Sequence, residues 1–290
     1  MKTTEPKVWL DYTQTELDAE YNQATKVSNI PEILERVMAE SARVRTEFDC
    51  ELDVSYGPSE DERLDIFPAA ERDAPIVVFI HGGAWTRTTK ESVSYPAESF
   101  VGAGATYIAV NFGLVPNVTL DELIRQNRAA IVWVYQNAKS FGAEPEQLFV
   151  AGHSSGGHIA GMMVVTEWRK WGVPDNIIKG ALAASGMYDL EPVRLSARNE
   201  YLKLDEATAR RNSSIRHIRD AMPPLVVAYG EHELEEFRRQ SQAFVDALRK
   251  GGHVHQEIDL PGLNHFDVGF EFNNPDGRLL NAFFEIMQLD

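Results

Sequence analysis

Apolar and polar residues repeat along this chain with two periods, and the change from one period to the other divides it. Over the first forty residues Leu17, Tyr21 and Ala24, then Ile33, Leu34, Val37 and Met38, recur at helical spacing among charges, which predicts helices with one apolar face. Phe48–Tyr56 then alternates with a period of two, and Arg63–Phe67 follows beyond Gly57-Pro58. Together they predict an edge strand and an antiparallel partner joined by a turn. From Pro75 onward strands and helices take turns. Ile76–Ile80 is an unbroken apolar run, as a strand buried on both faces should be. Thr106–Val110, Leu148–Ala151, Ile177–Ala184, Leu225–Tyr229 and His255–Leu260 read as further strands. Between and after them the spacing predicts helices over Pro96–Ala103, Leu120–Ala138, Ser155–Trp168, Phe237–Leu248 and Leu279–Met287.

Repeated strand–helix–strand units imply an α/β fold with a mostly parallel central sheet, an antiparallel hairpin at its start and helices on both faces. The expectation is a single domain over residues 1–290, with residues 1–45 as an N-terminal helical segment. The alternation is interrupted over residues 190–222. There Arg194–Asp220 is rich in Arg, Glu, Asn and Ser, and predicts a small helical lid over the carboxyl edge of the sheet, where such folds bind ligands.

Composition narrows the partners. Hydrophobic residues make up 43% of the 290 and charged residues 25%, enough for a sizeable core. The net charge of −16, with no basic stripe, argues against nucleic acid and for solubility. The first thirty residues hold no continuous apolar stretch of the signal-peptide kind, and no run approaches the ~18 apolar residues of a membrane span. The lone Cys50 has no disulfide partner in the chain, which suits a reducing, cytoplasmic setting, and it reads as a small strand residue. A homodimer is compatible with all of this.

The strongest chemical signal is Gly152-His153-Ser154-Ser155-Gly156, which follows a strand and opens a helix. That placement is the one a nucleophile elbow requires: a tight turn exposing Ser154 Oγ, with the helix N-terminus behind it. An ordinary glycine-rich turn is the competing reading, and the flanking elements disfavour it. A second signal is His81-Gly82-Gly83-Ala84-Trp85, directly after the strand ending at Ile80. In this architecture that loop supplies half of an oxyanion hole, so the expected donors are the N–H groups of Gly82 or Gly83 and of Ser155.

A serine hydroxyl needs a base. Among eight histidines His265 fits best, because it follows the last strand and the chain order in this fold is serine, acid, histidine. His153 should point away from the Ser154 side chain, and His158 should pack against the sheet or cap a neighbour. His253 and His255 share a strand face, but without a third ligand they are surface residues rather than a metal pair. The acid should lie after Leu225–Tyr229, within Gly230–Glu236. Glu233 has the usual reach, Glu231 is the alternative, and Asp189 is a weaker one.

With these residues in hand, the chain resembles the kynurenine formamidase-like branch of the α/β-hydrolases, related to hormone-sensitive-lipase-type carboxylesterases. The likeness rests on HGGAW (81–85), GHSSGGH (152–158), Asn111–Pro116 and Asn264-His265-Phe266-Asp267. It extends to Asp11–Asp18, Ser185–Pro192 and Glu236–Ser241, nearly the whole chain. It implies a triad of Ser154, Glu233 and His265, an oxyanion hole at Gly82, Gly83 and Ser155, and Trp85 lining the acyl side of the pocket. Two positions depart from the pattern: the acid is Glu where better-known members carry Asp, and Ser155 stands where many carry Ala. The expected function is hydrolysis of a small carboxylic ester or amide with a short acyl group, without a metal or organic cofactor. N-formylkynurenine hydrolysis is the alternative within catalysis. A catalytically inactive ligand-binding homologue is the alternative outside it.

Overall fold

The apolar run that opens the alternating part of the chain is the middle of a sheet, and its neighbours follow from it. In the computed structural model, which describes residues 5–253 and 255–289, the chain begins with β1 (Lys7–Trp9) and β2 (Tyr12–Thr13), then α1 (Gln14–Ala19) and α2 (Ile30–Glu47). The hairpin β3 (Glu51–Ser55) and β4 (Arg63–Phe67) precedes β5 (Ala74–Ile80), α3 (Ala97–Gly102), β6 (Thr106–Val110) and α4 (Leu120–Asn137). Next come β7 (Ala143–His153), α5 (Ser155–Val164) and β8 (Ile178–Ala184), and then the insertion with α6 (Glu191–Leu195), α7 (Asn199–Leu202) and α8 (Glu206–Arg211). The chain closes with β9 (Leu225–Gly230), α9 (Glu235–Lys250), β10 (His255–Leu260), α10 (His265–Phe270) and α11 (Arg278–Met287). Residues 1–4 of the expected N-terminal segment lie outside the described residues.

Eight strands form one sheet in the order β10-β9-β8-β7-β5-β6-β4-β3. Six of them, from β10 to β6, are parallel, while β4 runs antiparallel to β6 and β3 antiparallel to β4. The α/β-hydrolase fold is thus present, with its hairpin at one edge. Side chains of a strand alternate between faces, so the apolar run of β5 feeds two cores. Ile76, Val78 and Ile80 pack with Leu123 and Ile131 of α4 and Ile159 of α5. Val77 and Phe79 pack with Phe100 of α3 and Phe283 of α11 on the other face.

Some expectations change. The two-stranded β1–β2 ladder was not legible in so short a stretch. Ala24 is exposed in a 3-10 turn, and α2 buries Ile33, Ser41 and Val44 while Leu34 and Met38 stay 40% and 48% exposed. The helix lies on the edge of the sheet, where only a narrow stripe is covered. It is tied there by the ion pair of Arg45 with Asp65 of β4, and buried Lys90 joins the same Asp65 to Asp53 and Glu91. Cys50 precedes β3 rather than lying within it. Helix α5 ends at Val164, not Trp168, because Thr166 turns its hydroxyl back to the Met162 carbonyl and Trp168 buries in a separate 3-10 turn. No helix among the described residues is long and apolar enough to cross a membrane.

Candidate active site

The chain segments leaving the carboxyl ends of β5, β7, β8, β9 and β10 converge on Ser154. Between β7 and α5 the turn is so tight that Ser154 takes φ 59° and ψ −124°, outside the regions open to most residues. Strain of this kind costs about 1–3 kcal/mol and persists only where the surroundings hold it. Here the Ser154 N–H donates to Ala184 O of β8 at 2.9 Å, and a Cβ at position 156 would overlap the Ile80 carbonyl oxygen. Glycine at 156 is therefore a condition of the turn.

His265 opens α10 rather than lying in a loop. Asn264 and Asp267 form a reciprocal cap: the Asn264 side chain accepts from the N–H groups of Phe266 and Asp267, and Asp267 accepts from Asn264 N–H. This fixes the first turn of α10 and sets the imidazole over the elbow. Ser154 Oγ lies 2.9 Å from His265 Nε2, and His265 Nδ1 lies 3.2 Å from Glu233 Oε2. With Nδ1–H donating to the carboxylate, Nε2 is free to accept the serine proton. All three side chains are nearly sealed from solvent, Ser154 at 8%, His265 at 4% and Glu233 at 3% exposure.

The other acid candidates are engaged elsewhere. Glu231 accepts from Gly262 N–H, and Asp189 pairs with Arg216. Glu233 has two further partners that the sequence did not announce: Ser185 Oγ donates to its Oε1 at 2.5 Å and Gly230 N–H to the same oxygen at 2.9 Å. Ser185 itself has φ 54° and anchors its N–H on Ala228 O. In the sequence Ser185 is visible only as the first residue of the Ser185–Pro192 segment of the family likeness, with no role attached to it.

Aromatic rings wall His265. His153 lies with its ring centroid 4.8 Å from that of His265, and Phe237 presents an edge at 4.8 Å. Burial pushes His153 well below the ordinary histidine range, and the neighbouring His265 pushes the same way, so His153 is neutral.

The His81–Trp85 loop abuts the elbow. A Cβ on Gly82 would sit 3.3 Å from Ser154 Cβ, and Gly83, at φ 99°, accepts from the N–H groups of Thr86 and Arg87. Trp85 N–H donates to Ser155 Oγ at 3.3 Å, so the hydroxyl that distinguishes Ser155 from alanine ties the loop to α5. The Trp85 indole is 1% exposed and donates to His158 Nδ1 at 3.1 Å, while His158 Nε2 donates to Asn212 O of the insertion at 2.8 Å. His158 thus links loop and insertion. Burial lowers its pKa to about 4, against a smaller opposing effect of the Asn212 carbonyl, which keeps the ring neutral. His253 and His255 lie apart from the site, and no group of three potential metal ligands occurs among the described residues.

Comparisons with known proteins bear on the family and the fold. Residues 64–248 match the BD-FAE family. A kynurenine formamidase from Danio rerio is 33% identical over 224 residues, 75% of each chain. Esterase LipQ from Mycobacterium tuberculosis is 28% identical over 241 residues, 74% of this chain and 57% of that one. Among solved structures, esterase B from Lactobacillus rhamnosis shares the fold with a TM-score of 0.72 at 17% identity, covering 89% of this chain and 96% of that one.

Proposed function

The chain belongs to the BD-FAE family of α/β-hydrolases and resembles kynurenine formamidases, and from that premise we propose that it cleaves a small carboxylic ester or amide with Ser154 as nucleophile. The observation that carries this reading is the continuous hydrogen-bond chain from Ser154 Oγ through His265 to Glu233. Ser154 attacks the substrate carbonyl carbon while His265 Nε2 takes its proton, and Glu233 holds the tautomer and stabilises the imidazolium. The developing oxyanion is met by backbone N–H groups of Gly82 or Gly83 and of Ser155, backed by the N-terminus of α5. The imidazolium then protonates the leaving alcohol or amine. Water, deprotonated by the same His265, releases the acyl group and restores Ser154.

Ser185 and Gly230 make the longer glutamate serviceable by bonding its other oxygen. Trp85, expected on the acyl side, contributes chiefly by holding the oxyanion loop, since its indole N–H is spent on His158. The near-sealed site favours a short acyl group and gives residues 190–222, with α1 docked on them, the role of a lid. Each chain carries every group of the cycle, so a homodimer would hold two complete sites. The lone cysteine fits a cytoplasmic setting.

A second reading, N-formylkynurenine as substrate, is favoured by one observation besides the Danio rerio relative. Arg198 of the insertion lies 5.8 Å from the Phe237 ring that borders His265, and no carboxylate pairs with it among the described residues. An amino-acid substrate would bring a carboxylate; a simple ester would not. The deciding experiment follows p-nitrophenyl acetate and N-formyl-L-kynurenine side by side, with Ser154→Ala as control. Turnover of formylkynurenine at kcat/KM of ~10⁴ M⁻¹s⁻¹ or more selects the second reading. Turnover of the ester alone leaves the general esterase or amidase. An unimpaired Ser154→Ala protein would overturn both.

A further inference from the structure

Away from Ser154, a cavity of about 370 Å³ opens where the far end of α5 meets α4 and the last part of the insertion. Its apolar lining includes Met162, Trp171 and Ile218, and its charged lining is dominated by cations. Two of these are spoken for: Lys170 pairs with Glu167 at 2.8 Å and Arg211 with Asp121 at 2.6 Å. Two are not. Arg128 spends its Nε on Thr166 Oγ1 at 3.0 Å, its guanidinium lies 5.9 Å from the Trp171 ring, and its terminal nitrogens have no protein partner among the described residues. Arg219 comes no nearer than 3.9 Å to Asp175, which Arg169 already holds at 3.0 Å, and Arg219 Nε is buried with no partner.

Placing Arg128 by the last turn of α5 suits the helix dipole, which explains why a cation is tolerated there but not why its fork of donors is left open. Asp121, whose charge reaches Arg128, is already paired with Arg211; a half-buried guanidinium without an acid of its own is unfavourable, and a chain of net charge −16 has carboxylates to spare. Burial does push the Arg128 guanidinium below its ordinary range. Planar forks of this kind match a carboxylate in two-point geometry. The volume lies at the lower end of the range of small-molecule sites, enough for one ring-sized body.

We propose that this cavity is a second binding site, separate from the reaction at Ser154, for a small organic carboxylate: the anion lies between Arg128 and Arg219, and its apolar body lies against Trp171, Met162 and Ile218. The cavity borders the far end of α5, ~15 Å of helix from the Ser154 turn, so occupancy does not block the nucleophile.

The test is calorimetric titration of the full chain with benzoate, with benzamide as the uncharged counterpart, before and after Ser154 is capped by a fluorophosphonate. Benzoate is expected to saturate one site per chain, with benzamide binding at least roughly tenfold more weakly. Capping Ser154 should leave that affinity unchanged. Arg128→Gln and Arg219→Gln should each weaken benzoate by roughly tenfold or more. Both should hydrolyse p-nitrophenyl acetate as the parent does, which also shows that they fold; Arg128→Lys replaces Arg128→Gln if the latter does not. Absence of saturable binding, equal binding of benzamide, loss of binding on capping Ser154, or parental affinity in the folded variants would each overturn the proposal.

Discussion

At the scale of single residues, the site depends on side chains of two kinds, those visible in a motif and those visible only as neighbours. Glu233→Gln keeps the size of the acid but cannot balance the imidazolium. It should lower kcat by roughly 10³–10⁴-fold with little change in KM, as steady-state ester hydrolysis would show. Ser185→Ala tests the neighbour. A hydrogen bond to a carboxylate contributes about 1.5–3 kcal/mol, so its loss should reduce kcat by roughly ten- to a hundredfold with KM little changed, a split that loss of stability by itself would not produce. A Ser185→Ala enzyme with parental kcat would remove Ser185 from the positioning of Glu233. The elbow motif exposed Ser154, because a tight turn demands particular residues, and chain order after the last strand pointed to His265. Ser185 has no such demand: it bonds Glu233 across 48 positions of sequence, and only the adjacency of β8 and β9 brings it there.

At the scale of elements, the N-terminal segment acts as a strap. Asp18 accepts from Ala197 N–H and Gln14 donates to Leu195 O, both in the insertion, while Arg198 donates to Tyr21 O. Tyr21 in turn accepts from Gln240 of α9 through its hydroxyl, and Glu20 accepts from the N–H of Glu236. The strap therefore joins the insertion to the helix whose Phe237 borders His265. Tyr21→Ala should cost about 3 kcal/mol or more of stability, in line with other buried aromatic truncations. It should also raise KM more than it lowers kcat; urea unfolding and ester kinetics on one preparation would measure both. An unchanged KM would mean that the strap supports the fold without shaping the pocket. Helical spacing revealed these segments, yet it assigned Leu34 and Met38 to a buried face that the sheet edge is too narrow to cover.

At the scale of the whole molecule, buried histidines couple stability to pH, among them His81 and His158 beside His153. Burial outweighs nearby hydrogen bonding and lowers both His81 and His158 from 6.5 to about 4, so each is neutral in the folded chain down to that pH. The unfolded chain binds protons at these histidines below about 6.5 while the fold does not, so acidification from there toward 4 favours unfolding. Each site contributes up to roughly 3 kcal/mol, fully present above the unfolded value and lost toward the folded one. The urea midpoint should fall between pH 7.5 and pH 4.5. His158→Gln, which can still accept from Trp85 and donate to Asn212, should show a shallower fall; an equally steep one would exclude His158 as a source. By itself the sequence determined the periods, hence the strands, the helices and a mostly parallel sheet, and it determined the elbow, because steric limits on a turn act between near neighbours. Tertiary structure decided what near neighbours cannot carry. It brought Glu233, rather than Glu231 or Asp189, to His265, placed Ser185 behind it, and joined Trp85 through His158 to Asn212. These contacts depend on which strands lie side by side and how the insertion folds back, and hydrophobic period records burial of an element without recording its neighbour.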